Sequence, residues 1–179
     1  MRTAIAIPLI GKLLQSAQEA WEILEEEFGA KAISDRFVSP HITLSGGVAE
    51  DREDLLVQVS EFCKTIGPFE LEANGLGIFC LNSPHIHIRF KLGKRLLELR
   101  SQLLDRFTPN LTELEASLAQ EVWQPKASLC WEDVTYDRLG SVVERLRKLN
   151  FYGPMPVTQL QALSYGSEQE EELLRIRLR

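Results

Sequence analysis

Long apolar runs, a cysteine framework and an excess of positive charge are all missing from this chain, and each absence removes a class of function. The apolar start, AIAIPLIG, falls far short of the roughly 20 residues that cross a bilayer. An amphipathic segment follows it rather than a small-residue cleavage site, so the expectation is a cytoplasmic protein with no membrane partner. Three cysteines, Cys63, Cys80 and Cys130, are odd in number and lack metal-ligand spacing. They read as core thiols, with no disulfide framework, metal or cofactor expected. Acidic residues outnumber basic ones 26 to 20, for a formal net charge of −6. That balance excludes wrapping a long nucleic acid, whose binding draws on many phosphate neutralisations. A small anionic ligand or the end of an RNA stays compatible.

What is present suffices for a core: 179 residues, 44% of them hydrophobic. Alternating or continuous apolar runs predict strands over 3–8, 40–45, 68–80, 84–91, 126–131, 155–165 and 172–179. Helical spacing predicts helices over 12–28, 51–66, 93–107 and 135–149; in the first, Leu13, Leu14, Ala17, Trp21, Leu24 and Phe28 form one stripe. A strand-helix pair is twice followed by two successive strands, which is not the order of a plain alternating α/β chain. Pro40 and Pro125, 85 positions apart, each open a strand that runs into a helix. Gly67-Pro68 and Gly153-Pro154, 86 positions apart, each follow that helix and are read as opening a hairpin. HIHIRFK then aligns with LLRIRLR, Arg89 against Arg175. The expectation is one bilobal domain over 1–179, of α+β class, pseudo-twofold duplicated with repeat units near 40–91 and 125–179. Its antiparallel sheets would carry helices on their outer faces and leave a central cleft.

Successive side chains of a strand point to opposite faces, so the alternation also assigns faces. His41 and Thr43 share one face, as do Lys126 and Ser128, and as do His85, His87, Arg89 and Lys91. Trp131 falls on the apolar side with Ala127 and Leu129, and His85, beside Pro84, reads as ordinary surface. These polar faces carry no carboxylate, and an acidic protein that keeps one sheet surface basic offers it to an anion. Solvated strand faces and edge protection explain arginines such as Arg175 equally well.

PHITL at 40–44, the second strand-opening P-x-x-[ST]-L at 125–129, and the closing VTQLQALSYGSEQEEELLRIRLR together resemble the 2H phosphoesterase superfamily of 2′-5′ RNA ligase-like proteins and cyclic phosphodiesterases. The likeness covers nearly the whole chain. It implies two lobes around a cleft, each offering one His-x-Thr/Ser motif, and metal-independent chemistry on a 2′,3′-cyclic phosphate or a 2′-5′ linkage. It implies His41 and Thr43 for the first motif and Ser128 for the second hydroxyl. Lys126 stands where the second histidine is expected.

That departure matters chemically. Histidine, with an ordinary pKa of about 6.5, takes or gives a proton near neutrality, whereas lysine at about 10.4 stays protonated. His41 is then the base and Lys126 an electrostatic clamp or a sluggish acid. His87, Arg89 and Arg175 are candidate substrate contacts, and His87 could replace the missing imidazole if its strand crosses the cleft floor. The partner is a small phosphorylated nucleotide or an RNA terminus, acted on by a monomer. A non-catalytic nucleotide or RNA-end binding module remains the alternative, and so does a scaffold with a vestigial cleft.

Overall fold

Strands with one apolar and one polar face need a cover of amphipathic helices on the apolar side only, and the chain builds this arrangement twice. The structure, a computed structural model, describes residues 2–115, 118, 123–166 and 169–179. In chain order these residues form β1 (Arg2–Pro8), α1 (Gly11–Phe28), α2 (Ala32–Arg36), β2 (His41–Ala49), α3 (Arg52–Cys63), β3 (Phe69–Cys80) and β4 (Pro84–Phe90). There follow α4 (Lys94–Phe107), β5 (Leu111–Thr112), β6 (Lys126–Cys130), α5 (Leu139–Leu146), β7 (Tyr152–Val157), β8 (Gln159–Tyr165) and β9 (Glu171–Arg177). One sheet has the order β5-β2-β1-β8-β9 and the other β6-β4-β3-β7, with antiparallel neighbours throughout. The fold is α+β.

The helices cover the sheets crosswise. α1, which follows a strand of the first sheet, packs with α5 and lies against β6 and β7 of the second. α4, which follows a strand of the second sheet, packs on β2 of the first beside α3, where Phe62 and Phe107 meet edge to face at 5.7 Å. A positive-φ glycine, Gly29, ends α1: its N–H bonds the Glu25 carbonyl at 2.9 Å while Ala30 bonds Leu24 at 2.9 Å.

Two expectations change. The single strand expected over 155–165 is two strands in different sheets, with Thr158 as the crossing point. The Thr158 carbonyl there accepts from the Leu178 N–H at 2.8 Å. Gly153 and Pro154 therefore lie inside β7 rather than ahead of a hairpin. β7 is an edge strand, where Pro154 and Pro156 remove no needed ladder donor. α2 and the two-residue β5 are too short to show a period in the sequence. Residues 167 and 168 of the closing stretch lie outside the described residues.

The motif strands sit where ladders are incomplete. β6 is the edge of its sheet, and β5 covers β2 only at Val48 and Ala49. A register shift between Ile5 and Ala6 also leaves Leu44 without a partner on β1. Buried carbonyls left this way need donors. The Trp123 indole N–H bonds the Thr43 carbonyl at 3.0 Å, and the Trp21 indole N–H of α1 bonds the Ser128 carbonyl at 3.3 Å. Arg100, buried on α4, stacks 4.3 Å over Trp123 and donates to the Leu44 carbonyl at 3.1 Å and to that of Leu118. Trp21→Phe and Trp123→Phe keep the ring and delete the N–H. Each variant is expected to lose about 1–2 kcal/mol of stability in urea titration, and a loss near zero would show that the indole donors do not hold these strands.

Candidate active site

His41 and Thr43 enter from the first sheet, and Lys126 and Ser128 from the second, onto one cavity of about 580 Å³. Ala4 and Tyr165 on one side, Phe79 and His85 on the other, and Phe37 and Trp131 near the rim complete the walls that matter chemically. The four residues expected to form the site are thus brought together across the cleft by strand alternation on two facing sheets.

His41 is 3% exposed. Its Nδ1 lies 2.8 Å from the Ser39 carbonyl, and since a carbonyl only accepts, Nδ1 carries the proton and donates it. Nε2 is left bare and lies 3.7 Å from Glu170 Oε1. Phe37 packs on the ring, 4.8 Å between centres. Burial holds the imidazole down to about 4. Burial pushes the Glu170 carboxyl the other way, up to about 7, with the Val38 N–H opposing. The contact at rest therefore joins a neutral imidazole to a carboxyl that holds its proton more tightly than in water. Glu170 Oε2 has no partner and the side chain is 7% exposed.

The strand faces themselves bring no carboxylate to the cavity, but two segments outside the strands do. Glu170 comes from the segment between β8 and β9, and Glu115 from the chain beyond β5; both line the cavity. Glu115 is 3.4 Å from Arg2. Sequence alternation assigns faces only within strands, so loop carboxylates gave no signal.

On the second sheet, burial lowers the Lys126 pKa, and its ammonium lies 5.5 Å from the Phe79 ring centre. His85 Nε2 lies 2.9 Å from Ser128 Oγ. The Cα partner of Ser128 is His87, so its hydroxyl reaches the diagonal neighbour on the same face. His85 is not ordinary surface: it is buried, lines the cavity, meets Phe79 edge-on at 5.7 Å and stacks on Trp131 at 6.0 Å. Trp131 lies one residue beyond β6, where alternation no longer governs it, and it turns to the cavity instead of the apolar layer.

His87 is 2% exposed and is absent from the cavity lining. Its Nδ1 donates to the His85 carbonyl at 3.1 Å, and its ring lies 4.3 Å from that of Phe79. Opposite it is Gly77, where an added Cβ would meet His87 Nε2 at 2.4 Å. Burial is the main cause holding both imidazoles to about 4; nearby charge adds to it, from Lys126 on both rings and from Arg89 on His87. Arg89 is exposed and pairs in register with Lys126, outside the cavity lining. Arg175 on β9 pairs with Glu172 and donates to Gln161 at 3.2 Å, also outside that lining. Arg36, which sequence reading passed over, lines the cavity, pairs with Glu132 at 3.6 Å and lies 6.0 Å from the Trp131 ring. Among the described residues, no group of three or more His, Cys, Asp or Glu is placed to hold a metal, and no helix is long and apolar enough to cross a membrane.

Three solved structures share this architecture. TT0787 of Thermus thermophilus superposes with a TM-score of 0.67 at 16% identity, covering 100% of this chain and 98% of that one. Escherichia coli LigT in its apo form gives 0.61 at 19%, covering 99% and 96%. LigT complexed with 3′-AMP gives 0.61 at 18%, covering 99% and 97%. No curated protein matches the chain by sequence. The family model for the 2′-5′ RNA ligase superfamily matches residues 13–169, both motif strands included, and the chain belongs to that superfamily.

Proposed function

We propose that the protein is a metal-independent phosphodiesterase for a 2′,3′-cyclic phosphate or a 2′-5′ linked nucleotide or RNA end, with turnover limited by Lys126. The carrying observation is the convergence of His41, Thr43, Lys126 and Ser128 on one cavity from two sheets. The LigT complexes with 3′-AMP and with phosphate support a small phosphorylated ligand. On this reading residues 1–179 act as one bilobal domain and as a monomer in the cytoplasm.

In-line displacement at phosphorus needs a proton acceptor and a proton donor on opposite sides of the reacting centre. His41 is neutral with a bare Nε2, which suits it to take the proton of the attacking water. The imidazolium formed is then stabilised by the Glu170 carboxylate 3.7 Å away. Lys126 neutralises the phosphate from the second sheet, and burial, by lowering its pKa, makes it a better proton donor than a free lysine. The hydroxyls of Thr43 and Ser128 hold phosphate oxygens. His87, buried away from the cavity, acts on a substrate only through its neighbours, and Arg89 and Arg175 are left to contact the longer parts of an RNA end. A second reading, a binding module without turnover, is favoured by the same Lys126, since a cation keeps phosphate affinity without supplying the second imidazole.

With 2′,3′-cyclic nucleotides in EDTA, slow ring opening is expected from the wild type. His41→Ala should reduce it by about 10²-fold or more, and Lys126→His should raise it by a similar factor. Ring opening undiminished in His41→Ala would remove the assignment. Saturable calorimetric binding lost in Lys126→Glu, with no product formed, would select the binding module.

Glu170 makes a separate prediction about stability. A carboxyl raised from 4.5 to about 7 holds its proton more tightly when folded. The stability it contributes is complete below pH 4.5 and is lost as the pH rises through 7. Glu170→Gln is spared that loss, so it should match the wild type near pH 4.5 and exceed it at about pH 8 by on the order of 3 kcal/mol. Urea midpoints at the two pH values measure this; the same difference at both would mean that Glu170 does not titrate in that window.

A further inference from the structure

The chain has three histidines, and they differ in what fixes their ring protons. His41 and His87 each donate from Nδ1 to the carbonyl two residues earlier, Ser39 at 2.8 Å and His85 at 3.1 Å. Both are locked with Nε2 bare, because a carbonyl has no proton to return. His85 faces a hydroxyl instead, with Nε2 2.9 Å from Ser128 Oγ. A hydroxyl both donates and accepts, so this pair has two arrangements. In one, the Ser128 O–H donates a hydrogen bond to His85 Nε2 and turns only lone pairs to the cavity. In the other, His85 Nε2–H donates to Oγ, and the Ser128 proton is free to point inward. The first repels an anion and the second binds one.

We propose that His85 is a positioning residue for anion binding: phosphate in the cavity selects its Nε2–H tautomer and thereby aims the Ser128 hydroxyl proton at the phosphate. This rests on the phosphate reading of the cavity. The proton balance closes through solvent, since Nδ1 gives one proton to water and water returns one to Nε2, with the imidazole neutral before and after. Packing limits the alternatives. The ring meets Phe79 edge-on and stacks on Trp131, so it does not swing away. Lys126, lining the same cavity, opposes a second positive charge there. What remains variable is which nitrogen carries the proton. The sheet geometry supports this, because the diagonal reach from β6 to β4 sets His85 beside the hydroxyl while Ser128 itself lines the cavity.

Long-range ¹⁵N–¹H spectra of the three imidazoles near neutral pH, recorded while inorganic phosphate is titrated in, test this directly. His41 and His87 should remain Nδ1–H throughout, while His85 moves to Nε2–H at saturation. In parallel, His85→Phe should weaken phosphate binding about tenfold. His85→Gln, which keeps an N–H donor, should recover most of it, and neither change should matter in a Ser128→Ala background. Phosphate that shifts the His41 signals while His85 stays Nδ1–H would overturn the role of His85 alone. Phosphate that disturbs none of the three would remove the anion reading of the cavity and this proposal with it.

Discussion

Two indole N–H groups hold the site open. Each motif strand lies where its sheet offers too few donors, and an unsatisfied buried carbonyl costs about as much as a lost hydrogen bond. The Thr43 and Ser128 carbonyls are satisfied by Trp123 and Trp21, so the backbone of each hydroxyl residue is tied from behind while its side chain faces the cavity. The two ties are alike in kind, one tryptophan per motif strand.

Burial then decides the charge state. Three imidazoles that would titrate near neutrality in water are held neutral, and a carboxyl that would be ionised is brought to the middle of the physiological range. Among the described residues, two cations line the cavity, Lys126 from β6 and Arg36, which pairs with Glu132 at 3.6 Å. Phe37, Phe79 and Trp131 give the cavity an apolar wall.

The crosswise packing links this chemistry to the fold. α1 covers the sheet that carries Lys126, and α4 covers the sheet that carries His41. A helix from either half thus buries the apolar face of the other, and Arg100 on α4 reaches the motif strand of the first sheet directly. Each sheet is covered in part by a helix that follows a strand of the other, so the two faces of the cavity share one core.

Alternation with period two was enough to put His41, Thr43, Lys126 and Ser128 on polar faces, and a repeat of about 85 positions was enough to pair the first two with the second. Helices with a strong apolar stripe, such as α1, were also legible. Tertiary structure alone decided the rest. Glu170 and Trp131 reach the cavity from segments without a period, and the partner of Ser128 is set by a diagonal contact between strands 43 residues apart in sequence. His85 and His87 share one strand face, yet one lines the cavity and the other lies beneath Phe79, because Gly77 opens a space opposite only the second. A sequence fixes which side of a strand a residue occupies through local stereochemistry; what that side meets depends on which strands lie across from it, and that is settled only when the sheets pack.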